Sequence, residues 1–443
     1  MIKEILSTII RLPSNSYPFH SLKLSPNDWI MPAEFYPICC IYFYDIQQWS
    51  FHQKQPNDQF INIDRLLTSL TKLIDSYPLL TGILDVNKTD KSTSIVFDDN
   101  KGGVLFNAVS IDIPMSDLIL STTNSFELTN KTDPGAFFHI RHTRFICGSV
   151  ALTIQLNHCL ADAHSYFQLI RDWVRLYHQF NYQPIVCHQR SLLYPSQSNI
   201  EIHEPNTFTL KKETSSSMTE TIPCIVKIFR FSVDELERMK NIAKAHLSAD
   251  VHYISTFHVL TAHLFRHVIL ARCLPSSSVS KLYISTNLRP RRQQPNIPSN
   301  YFGNAVLYSC LETTTRDLMN IDQLSFWAAQ VHRVINTTAN EEIERILNWI
   351  VHQPDKSNIR PTCNPITTDF LITAWNKMGM YVDSDFELNV QPCRITLPLL
   401  ETMNGAAIFC STEKNDGAID VLLGLNVDTM KNLENDHTFR KYR

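Results

Sequence analysis

The stretch LNHCLADAHSYF, residues 156–167, joins a strand pattern to a helix pattern. Every second residue from 150 to 156 is apolar, which predicts a strand with one apolar face. His158 continues that face at the carboxyl end of the strand. Beyond it, apolar residues at helical spacing predict a helix that begins near Asp162. The stretch therefore predicts a strand–turn–helix unit with a histidine at the turn.

The pair of His158 and Asp162 allows two interpretations. Asp162 can cap the helix, because a carboxylate favours the free N–H groups at a helix start, and His158 can be a hydrogen-bonded core residue. Alternatively, His158 is a general base, because a strand end that faces a domain interface is open to substrate. Asp162 would then orient the loop and the imidazole without taking a proton. These two residues alone do not decide between the interpretations.

Length and composition indicate a globular protein of two domains. The chain has 443 residues, of which 44% are hydrophobic and 19% are charged, and a formal net charge of −3. That charge predicts no attraction to nucleic acid or to an anionic membrane surface. Neither G-x-G-x-x-G nor G-x-x-x-x-G-K-[ST] occurs, so the usual nucleotide-binding loops are not expected.

The cysteines and the apolar runs predict a soluble, cytoplasmic protein. The eleven cysteines are scattered and form no C-x-x-C pair, which suits reduced thiols better than a disulfide framework. The start, MIKEILSTIIRLPSNS, lacks the apolar core and cleavage site of a signal peptide. The longest apolar runs are too short to span a membrane.

Strand and helix patterns alternate along the chain, which predicts an α/β fold. Residues 181–222 have no sustained periodicity and are rich in Ser, Thr, Pro and Glu, so we expect a linker there. The expected domains are residues 1–180, which carry His158 and Asp162, and residues 223–443.

Several segments occur in an order that resembles the BAHD acyltransferases, a coenzyme-A-dependent family related in fold to chloramphenicol and carnitine acyltransferases. The family's motif is H-x-x-x-D, which matches His158 to Asp162. The other similar segments are LKLSPND (22–28), LLTSLTKLIDSYPLLTGIL (66–84), TRFICGSVALTIQLNH (143–158), STF (255–257), STNLRPRRQQPNIPSNYFGNAV (285–306), TAW (373–375) and NDGAIDVLLGL (415–425). Together they cover almost the whole chain, and this ordered set favours a catalytic His158.

The resemblance implies two similar chloramphenicol acetyltransferase-like domains, each a mixed sheet with flanking helices, and an active-site channel at their interface. Acyl-CoA would enter from one side and a small-molecule acceptor from the other. His158 would take a proton from the acceptor hydroxyl or amine as it attacks the thioester. The resemblance implies no metal and no permanently bound cofactor, and we expect a monomer.

The resemblance also suggests roles for residues far from His158 in sequence. Thr373 or Trp375 would donate to the oxyanion of the tetrahedral intermediate, although a strand residue and a core residue explain them equally well. Ser255 and Thr256 would contact the pantetheine arm, although a helix N-terminus also accounts for them. Asn287, in the N-x-R segment, is assigned to coenzyme A binding.

Arg289, Arg291 and Arg292 form the compact basic cluster of the second half. They could meet the phosphates of coenzyme A or lie in a solvated loop. For Arg289 we favour a pair with Asp162 or Asp385 that ties the motif loops together across the domains.

Three histidines, His258, His263 and His267, lie on one predicted helix. The spacing of the last two could bind zinc, but no carboxylate or third ligand lies nearby in sequence. We therefore expect packed or surface histidines and no metal site.

Two departures from the family pattern stand out. Ala163 follows the motif aspartate where the family usually has glycine, and residues 385–389 read D-F-E-L-N where the family has D-F-G-W-G. We expect Asp385 still to be held as a structural residue, the backbone after Phe386 to be altered, and the loop to lie away from His158. Non-glycine residues are costly in left-handed conformations, so residues 387–389 are not expected to copy the glycine turn.

Two alternatives to an acyltransferase follow from the residues. The chain could be a catalytically silent family member that binds coenzyme A or a small molecule, which the altered 385–389 loop favours and the intact His158–Asp162 pair opposes. It could also be a thiol hydrolase that uses Cys159, but adjacent residues at a strand end point in opposite directions, so the geometry is poor.

Overall fold

Two six-stranded mixed sheets form the framework of the protein. The computed structural model describes residues 2–12, 20–31, 37–49, 59–98, 100–119, 136–196, 201–211, 223–337, 340–398 and 403–443. The α/β alternation predicted from the sequence is present in both halves.

The first half of the chain contributes eight strands and four helices among the described residues. The strands are β1 (Ile2–Ile10), β2 (Ser21–Lys23), β3 (Ile38–Tyr44), β4 (Ile83–Val86), β5 (Thr93–Val96), β6 (Val104–Ile111), β7 (Phe138–Phe145) and β8 (Val150–Leu156). The helices are α1 (Pro26–Trp29), α2 (Ile63–Ser76), α3 (Met115–Ile119) and α4 (Ala163–His178).

The expected linker and the second half contribute the remaining described strands and helices. Its strands are β9 (Phe208–Leu210), β10 (Cys224–Phe231), β11 (Val279–Asn287), β12 (Val306–Thr314), β13 (Ile359–Pro361), β14 (Phe370–Ala374), β15 (Arg394–Thr396), β16 (Ala406–Ser411) and β17 (Ile419–Asn426). Its helices are α5 (Val233–Lys244), α6 (Thr256–Ala271), α7 (Thr315–Asn320), α8 (Leu324–Asn336), α9 (Asn340–His352) and α10 (Val427–Asn435). Short 3₁₀ turns lie at Ile46–Gln48, Pro78–Thr81, Arg190–Leu193 and Lys356–Asn358.

Each large sheet mixes parallel and antiparallel neighbours. The first has the order β1-β6-β7-β8-β3-β15, with β6 and β7 parallel. The second has the order β10-β17-β16-β14-β11-β12, with β14 parallel to both β11 and β16. Parallel neighbours require crossover connections, so each half needs the helices that its sequence pattern predicts.

A strand from late in the chain completes the first sheet. Strand β15 pairs antiparallel with β3, with Arg394 opposite Phe43 and Thr396 opposite Ile41. Sheet membership therefore does not follow the predicted division into residues 1–180 and 223–443, which stays a prediction. The expected linker contains regular structure where it is described: a 3₁₀ turn at Arg190–Leu193 and strand β9, which pairs with β13. Residues 197–200 and 212–222 lie outside the described residues.

The hydrophobic core runs from one half into the other. Leu288, Tyr301, Phe302 and Trp375 of the second half belong to the same buried cluster as the inner residues of β3 and β8. A separate cluster lies beneath the helices α5, α6 and α8. Because buried apolar surface joins the halves, loops from both are held against each other at the turn after β8.

Two observations bear on the predicted environment of the protein. All eleven cysteines are described, and all are free thiols. Within the described ranges, no helix combines the length and the apolar character that crossing a membrane requires.

Candidate active site

His158 lies just beyond the end of a strand, at the junction of the two halves. Strand β8 ends at Leu156 and helix α4 begins at Ala163, so His158 lies in the turn between them and not on the strand itself. It lines a cavity of about 220 Å³ whose walls come from both halves of the chain. The predicted site residues that line this cavity are His158, Asp162, Asn287, Arg289, Thr373 and Trp375.

A buried amide indicates which nitrogen of His158 carries the proton, and the histidine's own backbone also hydrogen-bonds the ring. The Nδ2 group of Asn304 lies 2.8 Å from the His158 carbonyl oxygen and 2.9 Å from Oδ1 of Asp28. Both neighbours are acceptors, so Nδ2 donates to them and Asn304 Oδ1 faces His158 Nδ1, 3.2 Å away. Nδ1 of His158 must then be the donor. Its Nε2 is left with the lone pair that a base needs.

The environment of His158 keeps the imidazole neutral. Burial lowers the pKa of His158, and the opposing effects of its own backbone and of Asp162 are smaller. A neutral imidazole at pH 7 can accept a proton, which is the state that a general base requires.

Asp162 caps helix α4 and is paired with Arg289, as predicted. Its Oδ1 accepts from the Ser165 backbone N–H at 2.9 Å and from Arg289 Nη2 at 3.1 Å. Its Oδ2 accepts from Arg289 Nη1 at 2.8 Å and from the Ala305 backbone N–H at 2.9 Å. Burial raises the pKa of Asp162, but the charge and hydrogen bonds of Arg289, together with the backbone N–H groups of Ser165 and Ala305, outweigh it and hold the pKa below its ordinary value. All these contacts fasten the carboxylate to the loops around the histidine.

Asn287 supports the same arginine. Its side-chain oxygen accepts from the Arg289 backbone N–H at 3.1 Å and from Arg289 Nη1 at 3.2 Å. Asn287 therefore both lines the cavity and orients Arg289, while its assignment to coenzyme A stays a prediction.

Thr373 and Trp375 come to the cavity from the end of strand β14. Trp375 is buried and packs edge-on against Phe167, with the ring centroids 5.8 Å apart. Neither the Thr373 hydroxyl nor the Trp375 indole N–H is hydrogen-bonded to any part of the chain that the structure describes. Both residues line the cavity around His158.

Ser255 and Thr256 lie elsewhere. Ser255 is the N-cap of helix α6, and its hydroxyl accepts from the His258 backbone N–H at 3.3 Å. Neither residue lines the cavity around His158. The helix-start interpretation explains Ser255, and the pantetheine assignment of both residues stays a prediction.

The arginines of the basic cluster have different partners. Arg289 pairs with Asp162 and not with Asp385. Arg292 is buried in an ion pair with Glu344 and also donates to the Tyr194 carbonyl oxygen, so the expectation that it meets phosphates or lies in a solvated loop is wrong.

The altered loop at residues 385–389 is anchored mainly by Phe386 and Glu387 and less by Asp385. Phe386 is fully buried against Trp173, with ring centroids 4.9 Å apart. The Glu387 carboxylate accepts from the Ile61 backbone N–H at 2.8 Å. Asp385 contributes its carbonyl oxygen, which accepts from a histidine ring at 2.7 Å. None of the loop residues lines the cavity around the motif histidine.

One residue of this loop, Asn389, enters a left-handed conformation although such conformations are costly for non-glycine residues. Its φ is +62°. Asparagine tolerates this region better than most residues, because its short amide can hydrogen-bond locally. Asn389 occupies the position of the second glycine in the family pattern.

The three histidines of helix α6 pack as predicted. His263 is buried and lies 2.9 Å from the Phe439 carbonyl oxygen, and His267 Nδ1 lies 2.6 Å from Asp436. Across the described ranges, no group of three or more His, Cys, Asp or Glu side chains could hold a metal ion. Cys159 is buried and does not line the cavity, which agrees with the poor geometry expected of it as a nucleophile.

Three residues near the histidine were not predicted as site residues. Asn304 and Asp28 lie in segments that carry the family resemblance, YFGN and LSPND, so their position was marked although their roles were not. Arg190, which pairs with Asp28, lies in the expected linker, where no periodic pattern or motif marks it.

The fold resembles those of solved proteins over nearly their whole length. The structure titled F. graminearum TRI101 complexed with coenzyme A and deoxynivalenol matches with a TM-score of 0.79 at 16% identity, covering 96% of this chain and 99% of that one. Vinorine synthase matches with a TM-score of 0.71 at 16% identity, covering 98% and 96%. These likenesses confirm the predicted two-domain, chloramphenicol acetyltransferase-like α/β fold.

Sequence comparisons define the family. The shikimate O-hydroxycinnamoyltransferase of Nicotiana tabacum is 24% identical over 98% of both chains, and the rosmarinate synthase of Plectranthus scutellarioides is 25% identical over 97% of both. A family model described as the transferase family matches residues 1–440. The chain belongs to this family, the BAHD acyltransferases, and is an acyltransferase of groups other than amino-acyl groups.

Proposed function

We propose that the protein transfers an acyl group from a coenzyme A thioester to a hydroxyl or amine of a small-molecule acceptor, with His158 as the general base. The observation that carries this proposal is the hydrogen bond from His158 Nδ1 to Asn304, which leaves Nε2 as an acceptor in a cavity between the two halves.

In the reaction, Nε2 of His158 takes the proton from the acceptor O–H or N–H as that atom attacks the thioester carbonyl carbon. The C–O or C–N bond forms, and the carbonyl electrons move to oxygen to give a tetrahedral oxyanion. The intermediate then expels the coenzyme A sulfur, which takes the proton back from His158. The products are an ester or amide and the free thiol.

The oxyanion needs donors in a place that excludes water. The Thr373 hydroxyl and the Trp375 N–H are the candidates, because both residues line the cavity. Asp162 and Arg289 act structurally in this proposal, since their ion pair braces the loop that carries His158.

Coenzyme A is the proposed acyl carrier, bound transiently as a co-substrate. Two solved TRI101 proteins of similar fold are complexed with coenzyme A, and the Nicotiana tabacum relative is a hydroxycinnamoyltransferase. We propose that acyl-CoA and acceptor reach His158 by a channel between the two halves. Ser255, Thr256 and Asn287 are the proposed contacts of coenzyme A, and Asp385 a structural residue remote from the reaction.

The reacting groups are proposed to lie against an apolar wall. Ile30 and Met31 from the first half, with Leu371 and Met378 from the second, line the cavity beside the histidine. Such a wall favours an apolar or aromatic acyl group.

We propose a cytoplasmic location and a monomeric state. The eleven free thiols support a reducing compartment. Light scattering of the purified protein tests the monomer.

The test is a screen of acyl-CoA donors against alcohols and amines, with detection of the free thiol. His158→Ala should lower turnover at least about 100-fold, since general-base contributions are about 10² to 10⁴. His246→Ala is the matched control, because His246 is exposed and does not line the cavity. Unchanged turnover in folded His158→Ala would refute the assignment of the base. Binding of coenzyme A without thiol release for any pair would favour the alternative of a catalytically silent binding protein.

A further inference from the structure

Two charged residues that the proposed mechanism does not use lie directly behind Asn304. Asp28, in helix α1, and Arg190, in the 3₁₀ turn of the expected linker, are both almost completely buried. Arg190 Nε lies 3.0 Å from Asp28 Oδ2. Burying two charges is costly unless their remaining polar atoms are also bonded, so the contacts of this pair show what it holds in place.

The two oxygens of Asp28 contact different neighbours. Oδ1 accepts from Asn304 Nδ2 at 2.9 Å and from the Asn304 backbone N–H at 3.1 Å. Oδ2 accepts from the Ser25 backbone N–H at 2.9 Å and from the Ser25 hydroxyl at 2.7 Å. One oxygen therefore orients Asn304, while the other is anchored to the start of α1 and to Arg190.

Arg190 joins the two loops that carry the histidine and the amide. Its Nη2 donates to the Leu160 carbonyl oxygen at 3.0 Å, two residues after His158, and its Nη1 donates to the Phe302 carbonyl oxygen. A Cβ atom at Gly303 would lie 2.3 Å from Arg190 Nη1, so only glycine leaves room for the guanidinium there. The arginine thus fills the space between the two loops.

We propose that Asp28 and Arg190 are positioning residues that determine, through Asn304, which nitrogen of His158 carries the proton. This proposal rests on the proposed function of His158 as the base. Because Asn304 Nδ2 donates to Asp28, the NH₂ group of Asn304 is held away from Nδ1 and the Asn304 oxygen accepts from Nδ1–H.

Without the charge on Asp28, the Asn304 NH₂ group loses one of the two acceptors that orient it, and only the His158 carbonyl oxygen remains. The amide can then rotate more readily and present its NH₂ group to His158 Nδ1. The neutral imidazole would then carry its proton on Nε2, where it cannot accept one from the acceptor. The other carboxylate that acts on His158 is Asp162, which Arg289 holds separately.

The first test is Asp28→Asn, which keeps the shape and removes the charge. We expect kcat to fall about 10- to 100-fold, by analogy with the loss of outer hydrogen-bond partners of metal-bound histidines. KM should change little, because Asp28 does not line the cavity. The charge of Asp28 raises the pKa of His158, so its removal should move the acid limb of the pH profile to lower pH.

Glu344→Gln is the matched control. Glu344 forms an equally buried ion pair with Arg292, which has no described contact with His158 or Asn304. Both variants should lose stability, since each leaves a buried arginine without its partner. Only Asp28→Asn should change kcat and the pH profile. Equal changes in both variants would overturn the proposal.

A measurement that needs no turnover separates this proposal from the proposed function. Nitrogen NMR of isotope-labelled histidine reports which ring nitrogen is protonated, and the His158 signals are assigned by their loss in His158→Gln. At neutral pH the wild type should show Nδ1 protonated and Nε2 unprotonated. Asp28→Asn should show a mixture of tautomers. If the wild type has this tautomer but releases no thiol from any acyl-CoA, the proposed function fails and the positioning role stands.

A folded Asp28→Asn that keeps the wild-type tautomer and kcat would overturn the positioning role. If Asp28→Asn does not fold, Asn304→Ala tests the same connection one residue closer to the histidine. It should mix the tautomers and lower kcat at least as much, and a wild-type result there would show that Asp28 cannot act through Asn304.

Discussion

Replacing Asp162 with asparagine should destabilise the protein strongly while changing a single atom of the side chain. The carboxylate accepts hydrogen bonds from Arg289 on both oxygens, from the Ser165 backbone N–H and from the Ala305 backbone N–H. An asparagine keeps one accepting oxygen. Its NH₂ group would face donors on the other side, so about half of these contacts are lost and Arg289 remains buried without a counter-charge.

The magnitude follows from the burial of the pair. Arg289 and Asp162 are each less than one-tenth exposed, so water cannot replace the lost partner. Removing one member of a buried pair costs about 3–5 kcal/mol. For a domain of about 150–250 residues each kcal/mol corresponds to about 2–4 °C, so we expect Tm to fall by about 6–20 °C.

Thermal unfolding and urea titration of Asp162→Asn measure this loss. The control is Asp420→Asn, the same substitution in a bidentate ion pair with Arg230 at 2.8 Å. Arg230 is about half exposed and also pairs with Glu413, so the control should cost about 1 kcal/mol or less. If Asp162→Asn is no less stable than Asp420→Asn, the structural role of the Asp162–Arg289 pair is refuted.

Two further predictions concern the base and the altered loop. The acid limb of kcat/KM should have its midpoint below pH 6.5, because burial lowers the pKa of His158. A base is active only while it is neutral, so activity falls as the pH drops through that lowered pKa. A midpoint above pH 6.5 in a pH–rate profile would contradict this. Changing Glu387 and Asn389 to Gly and Leu388 to Trp should leave kcat nearly unchanged and should lower stability, because the Glu387 contacts are lost. Single-turnover rates and unfolding curves measure the two effects. Activation of a catalytically silent protein by this change would mean that the loop limits activity.

The regular elements near the site were predictable because their signals are local. Strand β8 alternates in its sequence, and α4 has an apolar face and a capping aspartate directly before it. Strand β15 has no such signal. It is three residues long, and its place beside β3 depends on how the second half packs against the first.

The site residues also divide into those that a sequence signal marks and those that none marks. His158 and Asp162 were marked by the motif, and Arg289, directly after a predicted strand, was predicted to pair with Asp162 or Asp385 across the halves; it pairs with Asp162. Arg190 could not be predicted, since its segment has no periodicity and its partner, Asp28, lies far away in sequence. Long-range charge pairs leave no pattern in a single sequence.

The arrangement of these charges explains why loops from both halves are needed to hold one imidazole. The Tyr301 ring lies between two guanidinium groups, with its centroid 5.4 Å from Arg190 and 5.7 Å from Arg289. Each arginine pairs with a different carboxylate, Asp28 on one side and Asp162 on the other. Buried ion pairs add little net stability, but the loss of one partner is costly. An arrangement in which a loop moves one charged residue away from its partner is therefore destabilised. Both carboxylates act on the motif histidine, Asp28 also through Asn304, and the orientation of the imidazole therefore depends on the packing of both halves.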